Sequence, residues 1–110
     1  MTEAAPSAMP RVTADGFLQD ADDWNEGVAA GLAARIPLVL TDAHWEIVHF
    51  LRDYHRQFRH LPNNRMFVKA VERALGPERG NSRYLNGLFA GSPVRHACLV
   101  AGLPKPPGCL

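Results

Sequence analysis

The stretch TDAHWEIVHFLRDYHRQFRH, residues 41–60, decides the fold, because it is the clearest amphipathic helix in the chain. Thr41 precedes the helix and can cap its first turn. Apolar side chains recur at spacings of three and four residues and form one stripe, made up of Trp45, Ile47, Val48, Leu51, Tyr54 and Phe58. The stretch therefore predicts a long helix with one face in an apolar core.

A second helix is predicted upstream, over residues 20–36, DADDWNEGVAAGLAARI. Its acidic opening suits a helix N-terminus, and Trp24, Val28 and Leu32 repeat every four residues on one face. Pro37 ends it. We expect both Trp24 and Trp45 to belong to the core.

Three shorter helices are predicted downstream, over residues 64–75, 80–89 and 92–102. The apolar set of the first includes Met66 and Phe67, and Gly76–Pro77 is a stop signal. Each has a capping residue at its start, with these candidates: Asn63 or Asn64 for the first, Asn81 or Ser82 for the second, and Ser92 followed by Pro93 for the third. Gly102 terminates the last of them.

The N-terminal part predicts different structure. Residues 11–20, RVTADGFLQD, place two short apolar stretches around Asp15-Gly16, which is typical of a β-hairpin. Residues 1–10 are expected to be a disordered tail. The fold class is therefore mainly α: a small single domain of about five helices over residues 11–102, with an N-terminal β-hairpin and a mobile C-terminal arm over residues 103–110.

Length and composition limit the class of protein to which the chain can belong. The chain has 110 residues, 46% of them hydrophobic and 21% charged, which suits one globular domain. No apolar run approaches the ~20 residues that span a bilayer, so we expect no membrane insertion. The N-terminus lacks the layout of a secretory signal, and we expect a cytoplasmic, monomeric protein with reduced cysteines.

Charge is unevenly distributed. Residues 1–51 carry two basic and eight acidic groups, whereas residues 52–110 carry ten basic and three acidic groups. The basic half predicts a surface that docks a negatively charged partner, with Arg65, Lys69 and Arg83 as candidates. The helices over 64–75 and 80–89 also have the proportions of a helix-turn-helix, so a nucleic-acid-binding regulator is a second, less favoured hypothesis.

The C-terminal segment carries the two cysteines of the chain. Cys98 lies within the last predicted helix, where it is either a functional thiol or a small core residue. Cys109 follows Pro104, Pro106, Pro107 and Gly108, which predict a semi-stiff arm that presents its thiol. Arg95 and Lys105 are candidates for stabilising a thiolate or an anionic sulfur adduct.

No other catalytic or metal chemistry is indicated. The two cysteines are eleven residues apart, which fits neither a redox CxxC pair nor a zinc site. The histidines at 44, 49, 55 and 60 recur along one helix, but no group of cysteines or carboxylates completes a metal site with them. We interpret them as solvent-facing or packing residues. We therefore expect no metal and no cofactor.

Several stretches resemble the DsrC/TusE family of sulfur-relay proteins. They are DGFLQDADDW (15–24), LTDAHWEIVHFLRDYH (40–55), RMFVKAVERALGPERGNSRYL (65–85), GNSRYLNGLF (80–89) and the arm ACLVAGLPKPPGCL (97–110). The family hallmark is an arm with a penultimate cysteine. Members with a second cysteine eleven residues earlier, as in this chain, are DsrC-like, whereas TusE-like members keep only the penultimate one.

The resemblance implies a sulfur carrier rather than a stand-alone enzyme. By resemblance, Cys109 carries sulfur, Cys98 resolves it to a disulfide or trisulfide, and the main partner is dissimilatory sulfite reductase. A membrane-bound reductase would then reduce the bridged form. The alternative by resemblance is a TusE-like persulfide relay, fed by a sulfurtransferase complex, for tRNA 2-thiouridine synthesis.

Overall fold

The computed structural model describes residues 10–107. Within that range the chain forms one mainly helical domain, which confirms the predicted class. Five α-helices follow one another: α1 (Glu26–Arg35), α2 (Asp42–Phe58), α3 (Asn64–Leu75), α4 (Ser82–Leu88) and α5 (Pro93–Val100). No helix in this range is both long enough and apolar enough to cross a membrane.

Side-chain caps define where the helices begin. Asn25 accepts from Val28 N at 2.9 Å, Asn63 from Met66 N at 2.9 Å and Asn81 from Tyr84 N at 2.8 Å. These bonds satisfy amides that have no partner within the helix. The caps of α3 and α4 are thus Asn63 and Asn81, the first of each predicted pair. The helix α5 begins at Pro93 as predicted, but Ser92 makes no capping bond through its side chain.

The predicted helix over residues 20–36 was wrong at its start. Residues Ala21–Asp23 form a single 3-10 turn, and α1 begins only at Glu26. Between the 3-10 turn and α1, the backbones of Trp24 and Asn25 are extended. Asn25 must be extended to cap α1, and this frees Trp24 from the helix face on which the sequence placed it.

The predicted β-hairpin was also wrong. Residues 10–107 contain only one antiparallel bridge there, Val12 with Leu18, and no strand. The turn between them does form, with Thr13 N donating to Phe17 O at 2.7 Å. Pro10 has no amide to donate on one side, and Asp20 already caps the 3-10 turn on the other. Too few residues remain to extend the ladder.

The core is built around α5, against which all four other helices pack. Its residues Ala97, Cys98 and Val100 are fully buried. Ala97 and Cys98 have short side chains, which suits a helix that is packed on by all of the others. Behind α5, His44 of α2 is the buried polar residue of the described chain: its Nε2 lies 2.8 Å from Leu88 O and its Nδ1 lies 2.8 Å from Thr41 Oγ1.

Two residues predicted in apolar helix faces are not buried. Phe58, at the end of the α2 stripe, and Met66, in the first turn of α3, are each 49% exposed. The helix α2 continues beyond the part that packs on α5, so its last turn faces outward. By contrast, Phe67, the next residue along α3, is fully buried. Trp24 and Trp45 are partly buried and pack against the core, as expected.

Candidate functional site

The thiol of Cys98 lies inside the domain, in the last turn of α5. The residue is 0% exposed, and its neighbours Ala97 and Leu99 are buried with it. Its backbone carbonyl accepts from Leu103 N at 3.0 Å. A solute therefore has no path to this sulfur until the surrounding chain moves. We call residues 101–106, which follow α5 directly, the arm root.

The arm root begins with a tight reversal at Gly102. Gly102 N donates to Leu99 O at 3.2 Å and Leu103 N donates to Cys98 O, which is the bonding pattern of a Schellman helix end. Gly102 has a φ of 69°, and a Cβ there would overlap with Cδ1 of Trp24. Both the backbone angle and the space at this position require glycine.

Trp24 and Arg52 hold the end of α5 in place. The Trp24 indole donates to Val100 O at 2.9 Å, and Arg52 Nη1 donates to Ala101 O at 2.7 Å. Arg52 Nη2 also donates to Ala21 O at 3.2 Å, and its guanidinium lies 4.3 Å from the centre of the Trp24 ring. The last carbonyls of α5 are thus satisfied by side chains from two other segments.

The electrostatics of Arg52 reflect this position. Burial lowers the pKa of its guanidinium from the ordinary value, the nearby Arg56 lowers that pKa further, and Asp22 raises it. Arginine nevertheless stays protonated, because its ordinary pKa is so high. The cation is therefore available at neutral pH to hold the carbonyl of Ala101.

Neither role is predictable from the amino-acid sequence. The acceptors of Arg52 lie 49 and 31 residues away, and that of Trp24 lies 76 residues away. Nothing in the local pattern distinguishes Arg52 from Arg56, the other arginine of α2. Only the fold identifies these contacts.

The rest of the arm root packs against the domain, with two of its side chains buried. Leu103 is 1% exposed and Pro106 is buried as well. Lys105 Nζ lies 3.2 Å from Oδ2 of Asp15, in the turn before Leu18. Lys105, predicted as support for a sulfur anion, therefore forms an ion pair with the N-terminal turn in this structure.

Arg95, the other predicted anion support, lies one turn before Cys98 on the same side of α5. Its guanidinium carbon is 5.3 Å from the centre of the Phe17 ring. Its Nη1 is buried and has no hydrogen-bond partner within residues 10–107. The cation is thus directed into the protein beside the helix turn that carries the thiol.

The predicted docking residues lie elsewhere. Arg65 and Lys69 are exposed and one turn apart on α3, and Arg83 is exposed on α4. These cations belong to α3 and α4, whereas Arg95 belongs to α5 and Lys105 follows it. Cys109 and residues 1–9 of the tail predicted over residues 1–10 lie outside the described residues. Within the described part of the chain, no three His, Cys, Asp or Glu residues are grouped as a metal site.

The chain is similar to known proteins over most of its length. The family model described as DsrC like protein matches residues 7–110. The chain is 46% identical over 96 residues to the sulfurtransferase TusE homolog of Haemophilus influenzae, covering 87% of this chain and 88% of the relative.

Solved structures are similar too. The fold superimposes on the solution structure of Allochromatium vinosum DsrC with a TM-score of 0.82 and 45% identity, covering 90% of this chain and 88% of that one. The oxidized gamma-subunit of dissimilatory sulfite reductase (DsrC) from Archaeoglobus fulgidus gives a TM-score of 0.77 and 42% identity, covering 92% of both chains. This chain belongs to the DsrC-like family.

Proposed function

We propose that this protein is a sulfur carrier, which binds sulfur on Cys109 and uses the thiol of Cys98 to close onto the loaded cysteine. The observation that carries the proposal is the position of Cys98. Cys98 lies in the last turn of α5. The segment that leads to Cys109 begins directly after this turn, and its Leu103 N donates a hydrogen bond to Cys98 O. The sulfur-transfer and sulfite-reductase relatives support the same role.

Burial of Cys98 gives the two thiols different tasks. An external donor does not reach a side chain that is 0% exposed, so loading falls to Cys109. We propose that release of the arm root uncovers Cys98 for the returning arm. Eleven residues span at most about 36 Å, which also allows the Cα atoms to meet at the ~4.4–6.8 Å of a disulfide.

The closing step balances as a thiol exchange. When Cys109 carries a persulfide, the Cys98 thiolate attacks the Cys109 sulfur, the bond to the outer sulfur breaks, and that sulfur leaves as sulfide. A disulfide between the two cysteines remains. A trisulfide forms instead when the incoming sulfur is two electrons more oxidised than the outer sulfur of a persulfide, because both thiols then give up their electrons to it.

This difference separates the two partner proposals. Dissimilatory sulfite reductase, which handles partly reduced sulfur, would leave a trisulfide, and a membrane-bound disulfide or trisulfide reductase would restore the thiols. A persulfide-donating sulfurtransferase complex would load a persulfide for onward transfer, as in a relay to tRNA 2-thiouridine. The presence of Cys98 favours the first partner, and the relatives named TusE favour the second.

Mass spectrometry of three proteins after incubation with a small-molecule persulfide donor tests the proposal. Cys98→Ala should gain about 32 Da per added sulfur and keep the adduct, the wild type should gain it only transiently before the bridge closes and sulfide leaves, and Cys109→Ser should gain none. Alanine suits the buried position, and circular dichroism confirms that each variant is folded. Loading of Cys109→Ser at the wild-type level, with the sulfur on Cys98, would contradict the proposal.

A further inference from the structure

A groove that the sulfur chemistry does not use runs between the second half of α2 and α3. We call it the α2–α3 groove. Its volume is about 580 Å³. Apolar side chains line most of it, including Phe50, Tyr54, Phe58 and Met66. The polar part of the lining consists of Gln57, His60, Lys69 and Arg73.

Aromatic contacts shape one wall of the groove. The ring centres of Phe50 and Tyr54 are 6.1 Å apart, and those of Tyr54 and Phe58 are 4.7 Å apart. His60 packs edge-on against Tyr54 at 5.9 Å. Such pairs hold one another in place, so this wall exists before any ligand arrives. A preformed wall reduces the conformational entropy that binding costs.

The groove leaves large apolar side chains in contact with solvent. Phe58 and Met66 are each 49% exposed. Contiguous exposed apolar surface of this kind marks interaction sites, and aromatic residues and methionine are enriched in protein interfaces. Methionine also adapts its shape to different partners.

The charges around the groove have one sign. Lys69 and Arg73 are its charged lining residues, and no carboxylate lines it. Neither cation takes part in an ion pair within residues 10–107. The groove therefore offers two cations beside an apolar surface, and a segment with acidic residues next to an apolar anchor would complement both.

We propose that the α2–α3 groove binds a segment of a partner protein that carries one or two large apolar side chains flanked by Asp or Glu. The partner need not obstruct the arm root. Phe50 and Arg52 are two residues apart and so project about 200° apart around α2. Docking and sulfur transfer are thus assigned to opposite flanks of one helix.

Selection from a phage library of random 16-residue peptides tests this without any sulfur chemistry. We expect enriched peptides to combine acidic residues with Leu, Phe or Trp. Phe58→Ser and Lys69→Glu should each weaken binding of a synthetic enriched peptide by about tenfold, the second more strongly at low salt. Both positions are exposed, so the two variants probe apolar and charged contacts separately.

Matched controls lie outside the groove. Val39→Ser removes another apolar side chain, one that is 83% exposed, and Arg35→Glu reverses another exposed cation, on α1. Both should bind the peptide as the wild type does. Loading of Cys109 by a small-molecule persulfide donor should also be unchanged in Phe58→Ser and Lys69→Glu, so a failure of docking is distinguishable from a failure of the carrier proposal.

Four outcomes would overturn the proposal. The first is that no peptide is enriched, or that the enriched peptides are not acidic or bind the groove variants normally. The second is concentration-dependent dimerisation abolished by Phe58→Ser, which would make a second copy the occupant. The third is that deletion of residues 1–9 changes the NMR chemical shifts of the groove residues, which would make the N-terminal segment of the same chain the occupant. The fourth is displacement of the peptide by mixed-sequence RNA, which would make nucleic acid the ligand.

Discussion

The arm root and the α2–α3 groove lie on opposite flanks of the same helix, and they differ in how their groups are partnered. At the arm root, Arg52 and Trp24 satisfy the end of α5, and Leu103 is buried. At the groove, Phe58 stays exposed and Lys69 has no ion pair within residues 10–107. A region that is closed by its own chain is suited to controlled opening, whereas an open apolar region is suited to a partner.

The largest effect is expected for Gly102→Ala, which removes the reversal on which the arm root depends. The left-handed backbone and the contact of the new Cβ with Trp24 should together lower the free energy of unfolding by about 2–5 kcal/mol. Urea denaturation measures this loss.

Gly91→Ala is the matched control for Gly102→Ala. Gly91 also has a positive φ, of 85°, but a Cβ there meets nothing within 4 Å. Its substitution should lower the free energy of unfolding only by the cost of holding alanine in a left-handed backbone conformation, about 1–2 kcal/mol. Equal losses in the two variants would show that the contact with Trp24 contributes nothing.

A smaller loss of stability is expected for Arg52→Met. This substitution keeps much of the apolar part of the side chain and removes its hydrogen-bond donors. The carbonyls of Ala101 and Ala21 then lose this partner, at a cost of about 1–3 kcal/mol in the free energy of unfolding. Cys98 should also react faster with N-ethylmaleimide, because the end of α5 is released.

The control for Arg52→Met is Arg56→Met, on the next turn of α2. Arg56 pairs with Asp53 at the exposed surface, at 2.6 Å, and such pairs contribute about 0–1 kcal/mol. Both reactions are followed in a Cys109→Ser background, so that only Cys98 is labelled. If the two arginine variants label Cys98 at the same rate, Arg52 does not guard the thiol.

The smallest effect on stability is expected for Lys105→Ala. Its ion pair with Asp15 is partly exposed, so its loss should cost less than about 1 kcal/mol. The local consequence is larger: amide hydrogen exchange of Leu103 and Lys105 should accelerate, while the amides of α5 within the core keep their protection. Unchanged exchange at these amides would mean that Lys105 does not hold the arm root.

The helices were predictable because their signals are local. The Asn63 cap, the Pro93 start and the Gly102 end of α5 all follow from neighbouring residues. The break at Trp24 was not predictable, because the indole is held by a carbonyl 76 residues away. The contacts of Arg52 were not predictable either, because its acceptors are also distant in the sequence. A periodic stripe also cannot separate a core from an open groove, and Phe58 therefore looked like a core residue until the end of α2 was placed.

The site itself was predictable only in part. Cys98 and Cys109 stand out because the chain has no other cysteine. The sequence did not reveal that Cys98 is closed off from solvent, since burial depends on how α1, α2, α3 and α4 surround α5. That burial assigns the order of events in our account, in which loading at Cys109 precedes closure at Cys98.

The closure step tests the central claim most directly. After persulfide loading and removal of excess donor, sulfide release and intact mass are followed together in the wild type and in Cys98→Ala. We expect the wild type to release about one sulfide per loaded chain and to end about 2 Da below its fully reduced mass, while Cys98→Ala keeps its adduct. An adduct that is equally stable in both proteins, with no bridged product in the wild type, would contradict the account.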